Sequence, residues 1–178
     1  DVIEDADDGI EDLSIGDQPE VEPTIFNQDF IHTIDIELAD GSEDALWGDP
    51  YEYVPADVTI DDVRLEDVGV RLRGKIGSFR DLGGKPKFKL DFNRFVDGRR
   101  FQEMEALSLN NSVVDCSYLK EPLAYAVFAA IGAPVMRTSY TQLTVDGRDY
   151  GLYVPIDAPD DRLDRIHALN SIPSRVPI

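Results

Sequence analysis

The amino-acid sequence predicts an α+β fold, built on a mostly antiparallel sheet with one main helix. Several segments alternate apolar and polar residues, which is the period of strands that bury one face. One segment, SYLKEPLAYAVFAAIG, instead carries apolar residues at helical spacing. Because several strands are followed by one helix and a final hairpin, we expect an α+β domain. The 178 residues, 42% of them apolar, suffice for one such domain and a tail.

The acidic segment, residues 1–23, opens the chain with ten Asp and Glu residues and no basic residue. Such a sequence repels itself and has little apolar surface to bury, so we predict a tail or linker. A calcium loop is the alternative, since four aspartates fall between residues 5 and 12. With Gly9 as the loop glycine, however, the third and twelfth positions of an EF-hand loop would be apolar. The tail is therefore favoured, and the folded domain is predicted over residues 24–178.

Short patterns predict the elements of this domain in chain order. IHTIDIEL alternates as a strand, and ADGSED ends it as a loop. DVTIDDVRLEDVGVRLRG predicts two strands joined at the two-residue turn Asp61-Asp62, and KPKFKLDF predicts a further strand. The helix follows, with Ser117 as its candidate N-cap and Gly132 as its C-terminal stop. SYTQLTVDGRDYGLYVPID ends the order as a hairpin around DG.

The charge and the rare residue types exclude several function classes. A net charge of −19 and an isoelectric point near 4.2 argue against general binding to nucleic acid or to anionic membranes. No apolar run approaches the roughly 20 residues needed to cross a bilayer. The single cysteine, Cys116, excludes an internal disulfide and a Cys-based zinc site. His32 and His167 have no partner at metal-ligand spacing, so we expect two ordinary histidines.

A basic strip, Val68–Phe92 (VGVRLRGKIGSFRDLGGKPKFKLDF), interrupts this acidic chain. Successive side chains of a strand point to opposite faces, so pairing of its two strands would place five cations on one face. These cations are Arg71, Arg73, Lys85, Lys87 and Lys89. The loop between the strands has four glycines, which let backbone N–H groups approach a phosphate closely. The strip predicts a phosphate site, a contact with an acidic partner, or a solvated outer face.

Four motifs in a fixed order give the chain a family resemblance. YVPADVTIDDVRLEDVGVRLRG, KPKFKLDF, LSLNN and YLKEPLAYAVFAAIGAPVMRTSYTQLTVDGRDYGLYVPID resemble the spore-coat CotH protein kinase family over Trp47–Asp157. That family has an atypical protein-kinase-like fold that binds ATP and phosphorylates proteins, including spore-coat proteins. The resemblance implies that this chain is the nucleotide-covering N-lobe, with ATP and magnesium as cofactors. It also implies a protein substrate as partner, and a place in the spore coat or at the cell surface.

The resemblance also assigns roles to residues of the basic strip and the helix. It places Lys89 on the α- and β-phosphates and Glu121 as the carboxylate that holds Lys89. The remaining cations near the phosphates would be Arg71, Arg73, Lys75 and Lys87. The nucleotide site predicted in this way therefore has six residues.

Other polar and aromatic residues within the resemblance have simpler interpretations. Asn110 and Asn111 are typical of a turn, and Asp115 of a helix cap. The resemblance places Asp157 at the passage to a second lobe and implies a contact with the adenine there. An aromatic group around a turn is interpreted as a packing cluster, and it consists of Trp47, Tyr51 and Tyr53.

The chain departs from the family pattern in several respects, including Glu103, where the family tends to have glycine. Pro122 directly follows Glu121 inside the predicted helix, so either the helix begins near Lys120 or Glu121 is displaced. The acids that phosphoryl transfer requires lie in the family's larger lobe, which this chain does not match. Asp160, Asp161 and Asp164 are acidic, but a helix start or a solvated loop explains them. The alternative function is a non-catalytic binding or scaffold module at a cell surface or spore coat.

Overall fold

The computed structural model describes residues 24–75 and 77–157, and in this part of the chain seven strands form one closed barrel. Two short helices, of seven and eleven residues, connect the strands. The predicted α+β fold with one main helix is therefore wrong, as is its likeness to a kinase N-lobe. The sheet buries its apolar face by closing on itself and does not need a helix to cover it. The predictions for residues 1–23, Asp160, Asp161, Asp164 and His167 lie outside the described residues.

The seven strands surround the barrel in an order that differs from their order in the sequence. They are β1 (His32–Leu38), β2 (Val54–Ile60), β3 (Val63–Arg73), β4 (Lys87–Asp91), β5 (Ala106–Asn110), β6 (Thr141–Val145) and β7 (Arg148–Asp157). The helices are α1 (Ser42–Gly48) and α2 (Lys120–Ala130). The strand order is β1-β2-β3-β4-β5-β7-β6, and β6 then pairs with β1. This closing pair is parallel, whereas the other six pairs are antiparallel.

Two tight hairpins confirm the turn predictions. β2 and β3 are joined at Asp61-Asp62, and β6 and β7 at Asp146-Gly147. Asp61 has a φ of 49°, and Asp146 and Gly147 have φ values of 48° and 74°. These left-handed conformations match the right-handed twist of the strands that the turns join. The carboxylate of Asp61 also accepts the backbone N–H of Thr33 at 2.9 Å, which attaches the turn to β1.

The barrel interior is filled by the apolar residues that alternate along the strands. Neighbouring side chains on one strand point in opposite directions, so the intervening polar residues face outwards. Twelve large side chains are less than 2% exposed and form the centre of the core. They are Tyr153, Phe88, Phe92, Ile25, Ile34, Ile36, Leu46, Ile60, Leu72, Leu90, Met104 and Leu107.

Helix α2 explains why the fold prediction failed. None of its residues is buried, and Leu123 and Val127, which suggested a core-facing stripe, are 63% and 56% exposed. The helix begins at Lys120, so Pro122 lies in the first turn, where its missing N–H costs no helical hydrogen bond. Gly132, with a φ of 78°, ends the helix as predicted.

Leu119 occupies the N-cap position of α2 and makes no side-chain cap hydrogen bond, so the predicted N-cap at Ser117 is wrong. The Asp115 side chain instead binds the first N–H of the helix. The Asp115 carboxylate accepts the backbone N–H of Lys120 at 2.9 Å and the Ser117 hydroxyl at 2.6 Å. Both hydrogen bonds lower the pKa of Asp115; the one from the Ser117 hydroxyl has the larger effect and the one from the Lys120 N–H the smaller. The interpretation of Asp115 as a cap is confirmed.

Helix α1 was missed, because ADGSED resembles a loop and only Leu46 anchors the helix in the core.

His32 is buried, and both of its ring nitrogens lie close to acceptors of the same chain. Its Nδ1 lies 2.8 Å from the Asp61 carboxylate and its Nε2 lies 2.9 Å from the Asn27 carbonyl oxygen. Within residues 24–75 and 77–157, no three His, Cys, Asp or Glu side chains are grouped as metal ligands. No helix in the described part of the chain is long and apolar enough to span a bilayer.

The close approach at Gly69 yields a stability prediction. A Cβ at Gly69 would lie 2.6 Å from Arg94 Cβ and 3.2 Å from the ring of Tyr53. We expect Gly69→Ala to destabilise the protein by about 1–3 kcal/mol, because it overpacks the contact. Gly48→Ala is the matched control, since a Cβ there meets nothing within 4 Å. Urea unfolding measures both, and equal stability of the two variants would contradict this packing.

The cap at Asp115 yields a pH prediction. Its pKa is lowered in the folded protein, so the carboxylate stabilises the fold above the ordinary carboxyl pKa, near 4. That stabilisation is lost as the pH falls through the lowered value. We expect Asp115→Asn to lower the thermal midpoint at pH 7 and the difference to vanish in strong acid. Asp97→Asn, at an exposed residue, is the control; a pH-independent loss for Asp115→Asn would contradict the charged cap.

Candidate functional site

An open cavity of about 750 Å³ lies beside strands β3, β4, β5 and β7 and helix α2. Its volume is within the range of small-molecule sites, about 300–1,000 Å³. Fifteen residues line it: Tyr51, Arg71, Arg73, Gly74, Lys75, Ser78, Lys87, Ser108, Leu109, Asn110, Glu121, Tyr125, Met136, Ile156 and Asp157. We call it the basic cavity, because four of these residues are cations and two are acids.

The cations reach the cavity because the barrel buries their neighbours. Arg71 and Arg73 alternate with Val70 and Leu72 on β3, which are 0% and 1% exposed. Lys87 precedes the buried Phe88 on β4 and pairs in register with Arg73. Lys75 follows in the loop after β3. The alternation that builds the core therefore places three cations side by side on the outer surface.

The arginines of β3 lie close enough to influence each other. The pKa of Arg73 is lowered, chiefly by partial burial and then by the positive charge of Arg71. Its guanidinium donates a hydrogen bond to the hydroxyl of Ser108 on β5. Glu121 opposes the shift only weakly, as the smallest of the contributions. A cation whose charge is disfavoured in this way interacts more favourably with an added anion.

The ion pairs among the described residues do not neutralise this cluster. They are formed by His32 with Asp61, Arg64 with Glu37 and Asp57, Arg100 with Glu105, and Arg137 with Asp157. Arg71 instead lies 5.1 Å from the ring centre of Tyr53, and Arg94 lies 5.2 Å from the same ring. These cation–π contacts orient Arg71 without cancelling its charge.

The glycine-rich loop folds against itself at the edge of the cavity. Gly74 has a φ of 133°, and a Cβ there would lie 2.8 Å from Phe79 Cα, so only glycine fits. The backbone N–H groups of Ser78 and Phe79 both donate to the Lys75 carbonyl oxygen at 3.0 Å. Tyr51 donates its hydroxyl to the Gly74 carbonyl oxygen at 2.9 Å. These two N–H groups are used within the loop, so they are not free to bind a phosphate, and the backbone cradle stays a prediction.

The two acids of the cavity are held by specific partners. Glu121, in the first turn of α2, accepts a hydrogen bond from the amide of Asn110. Asp157 is 2% exposed and lies 2.8 Å from Arg137 Nε. Asp157 therefore ends β7 as part of an ion pair, and the predicted contact to adenine stays a prediction.

Apolar and aromatic groups line the cavity as well as cations. They are Leu109, Met136 and Ile156, together with the rings of Tyr51 and Tyr125. Burial raises the pKa of Tyr125, and the nearby Glu121 adds to the shift. A flat apolar group with an attached anion matches a cavity that has both kinds of lining residue.

Five of the six residues predicted for the nucleotide site line the basic cavity. They are Arg71, Arg73, Lys75, Lys87 and Glu121. Lys89 pairs in register with Arg71 and Ser108 but is not among the lining residues. The described ion pairs do not include the predicted contact between Lys89 and Glu121. The assignment of Lys89 stays a prediction.

Lys85, the fifth cation of the basic strip, is used within the structure. Its ammonium donates to the Tyr118 hydroxyl at 2.9 Å and to the Leu152 carbonyl oxygen at 2.7 Å. It also lies 4.9 Å from the ring centre of Tyr153. Lys85 thus connects the loop before α2 to β7, and it is absent from the cavity lining.

Several lining residues were not predicted from the sequence. Ser108 could have been found, because it alternates with Leu107 and Leu109 in LSLNN. Tyr125 follows Glu121 by four residues, which is one helical turn and places both on one face. Tyr51 was interpreted only as packing, yet it is 49% exposed and lines the cavity. No local pattern pointed to Met136.

Comparisons with known proteins identify the family. The family model described as CotH kinase protein matches residues 70–174, more than half of the chain. The inner spore coat protein H-like protein of Bacillus subtilis (strain 168) is 29% identical over 99 residues. That alignment covers 56% of this chain and 31% of the relative, so the chain spans less than a third of the relative's length. The predicted resemblance is confirmed, and the chain belongs to the CotH family.

Proposed function

We propose that the basic cavity binds the phosphates of a nucleotide, and that this chain is the ATP-binding part of a protein that phosphorylates other proteins. The observation that carries the proposal is the convergence of Arg71, Arg73, Lys75 and Lys87 on one cavity. None of these four takes part in an ion pair within the described residues. The family model that matches the chain is described as CotH kinase protein, which supports the same proposal.

The cations fit a phosphate chain by charge and by geometry. Guanidinium groups bind phosphate oxygens through two parallel N–H donors, and lysines supply mobile point charges. Arg71 and Arg73 stand two residues apart on one strand face, and Lys87 is on the adjacent strand. Three neighbouring phosphates would therefore each find a donor. The aromatic and apolar lining residues, among them Tyr125 and Ile156, would receive the base by stacking and burial.

Magnesium and the phosphoryl-transfer step have weaker support in the described residues. Glu121 and Asp157 are the acids of the cavity, and each already has a hydrogen-bonding partner. No group of three candidate ligands occurs within residues 24–75 and 77–157. Because both carboxylates are engaged with Asn110 and Arg137, we place no metal on them and derive no step through magnesium. Catalytic acids would come from sequence beyond the barrel.

A second candidate function is a binding module in a spore coat, and helix α2 supports it. Leu119, Leu123, Val127, Phe128 and Ile131 are 52–74% exposed on or beside this helix. Exposed apolar groups of this size are typical of protein contact surfaces. The similar Bacillus protein is named as an inner spore coat protein. Localisation in a coat, and contact with another coat protein, follow as proposals.

Calorimetry with ATP tests the cavity and separates two neighbouring lysines. Lys87→Ala removes a cation that lines the cavity, whereas Lys89→Ala removes one on the same face of β4 outside the lining. We expect Lys87→Ala to weaken ATP binding by about tenfold or more, because a charge-assisted hydrogen bond is worth roughly 1.5–3 kcal/mol. Lys89→Ala should have a smaller effect.

Arg64→Ala is the control for loss of positive charge, since Arg64 pairs with Glu37 and Asp57 away from the cavity. Adenosine and inorganic triphosphate are titrated separately. Adenosine reports binding by the apolar and aromatic lining residues, and triphosphate reports binding by the cations. A larger loss of ATP affinity for Lys89→Ala than for Lys87→Ala would favour the family's assignment of Lys89 over the cavity geometry. A folded protein that binds neither ATP nor triphosphate would contradict the proposal.

A further inference from the structure

We propose that the acidic segment, residues 1–23, binds the basic cavity of its own chain and competes there with anionic ligands. The inference rests on the proposed function only for its regulatory consequence. The contact itself follows from charge and from the point at which the segment is attached. The occupant is this segment of the same chain and not a separate protein.

Charge complementarity is the first argument. The acidic segment has ten carboxylates and no basic residue. The basic cavity gathers Arg71, Arg73, Lys75 and Lys87, while its acids have other partners. Lysine is rare in this chain: apart from these two, only Lys85, Lys89 and Lys120 occur. The cavity is therefore a concentrated positive feature in a protein of net charge −19.

The point of attachment is the second argument. Ile25 is 1% exposed and fixed in the core, with its N–H donating to Gln102 at 2.9 Å. The ring of Phe26 lies 4.3 Å from the guanidinium carbon of Arg137. Arg137 in turn pairs with Asp157, which lines the cavity. Two side-chain contacts, Phe26 with Arg137 and Arg137 with Asp157, therefore connect the point where the chain enters the barrel to the edge of the cavity.

Tethering makes a weak contact effective. An extended chain advances by up to about 3.5 Å per residue, so half of the acidic segment could span tens of ångströms. A binding group attached close to its site reaches an effective concentration in the millimolar range. Several carboxylates at that concentration would occupy the cavity cations, which form no ion pair within residues 24–75 and 77–157. A nucleotide must then displace them, so its apparent affinity falls.

Carbodiimide cross-linking tests the contact directly in the full chain. The reagent joins a carboxylate to a lysine amine only where the two groups touch, and mass spectrometry locates the product. We expect links from residues 1–23 to Lys75 and Lys87 at low salt, and their loss at 1 M salt, where the Debye length is about 3 Å. Lys120 is the internal control, since it is exposed and does not line the cavity.

Two outcomes of the cross-linking would overturn the proposal. One is an absence of links to Lys75 and Lys87, or links no more frequent than those to Lys120. The other is links that join different copies, detected by mixing ¹⁵N-labelled and unlabelled protein. Neither outcome depends on nucleotide, so this proposal and the nucleotide proposal can fail separately.

Neutralising the segment tests the regulatory consequence. Six acids become amides in one variant: Glu4, Asp5, Asp7, Asp8, Glu11 and Asp12. The matched control neutralises six exposed acids outside the cavity: Asp29, Glu43, Asp44, Asp62, Glu66 and Asp97. We expect the first variant to bind inorganic triphosphate about three- to tenfold more tightly than the control variant. Equal triphosphate affinities of the two variants would overturn the proposed competition between the acidic segment and anionic ligands.

Discussion

The parallel pairing of β1 with β6 closes the sheet, and the rest of the structure depends on this closure. A closed barrel has no free strand edge and buries its apolar side chains without a covering helix. Every second residue must then point outwards. On β3 and β4 that rule exposes Arg71, Arg73 and Lys87 while Leu72 and Phe88 fill the core. The basic cavity is thus a direct consequence of how the barrel is packed.

The electrostatics of the cavity follow from the spacing that the barrel imposes. Strands lie about 4.8 Å apart, so cations on adjacent strands cannot move far from one another. Arg73 shows the effect of this proximity, because its pKa is lowered by partial burial and by the positive charge of Arg71. An anion relieves this repulsion, and either a phosphate chain or a row of carboxylates supplies one. The same physical feature therefore underlies both the proposed ligand and the proposed competition by the acidic segment.

The sequence predicted local features well and the global closure poorly. Alternation located six of the seven strands, but β5 was missed, and its last residue, Asn110, had been interpreted as part of a turn. The turns at Asp61-Asp62 and Asp146-Gly147 followed from residues that tolerate a positive φ. Alternation also placed the cations of β3 and β4 on one face. The parallel β1–β6 contact joins segments more than a hundred residues apart, and no local pattern marks it. Helix α2 was misjudged because helical spacing of apolar residues does not reveal whether a partner surface is present.

Amide chemical shifts during a titration with ATP test the central claim most directly. The claim is that the cations of the barrel's outer face hold a phosphate chain. It predicts shifts at Gly74, Lys75 and Ser78 in the loop and at Leu109 and Asn110 on β5, all of which line the cavity. Inorganic triphosphate should shift the loop residues as well. Shifts confined to residues away from the cavity, or no shifts at saturating ATP, would contradict the claim.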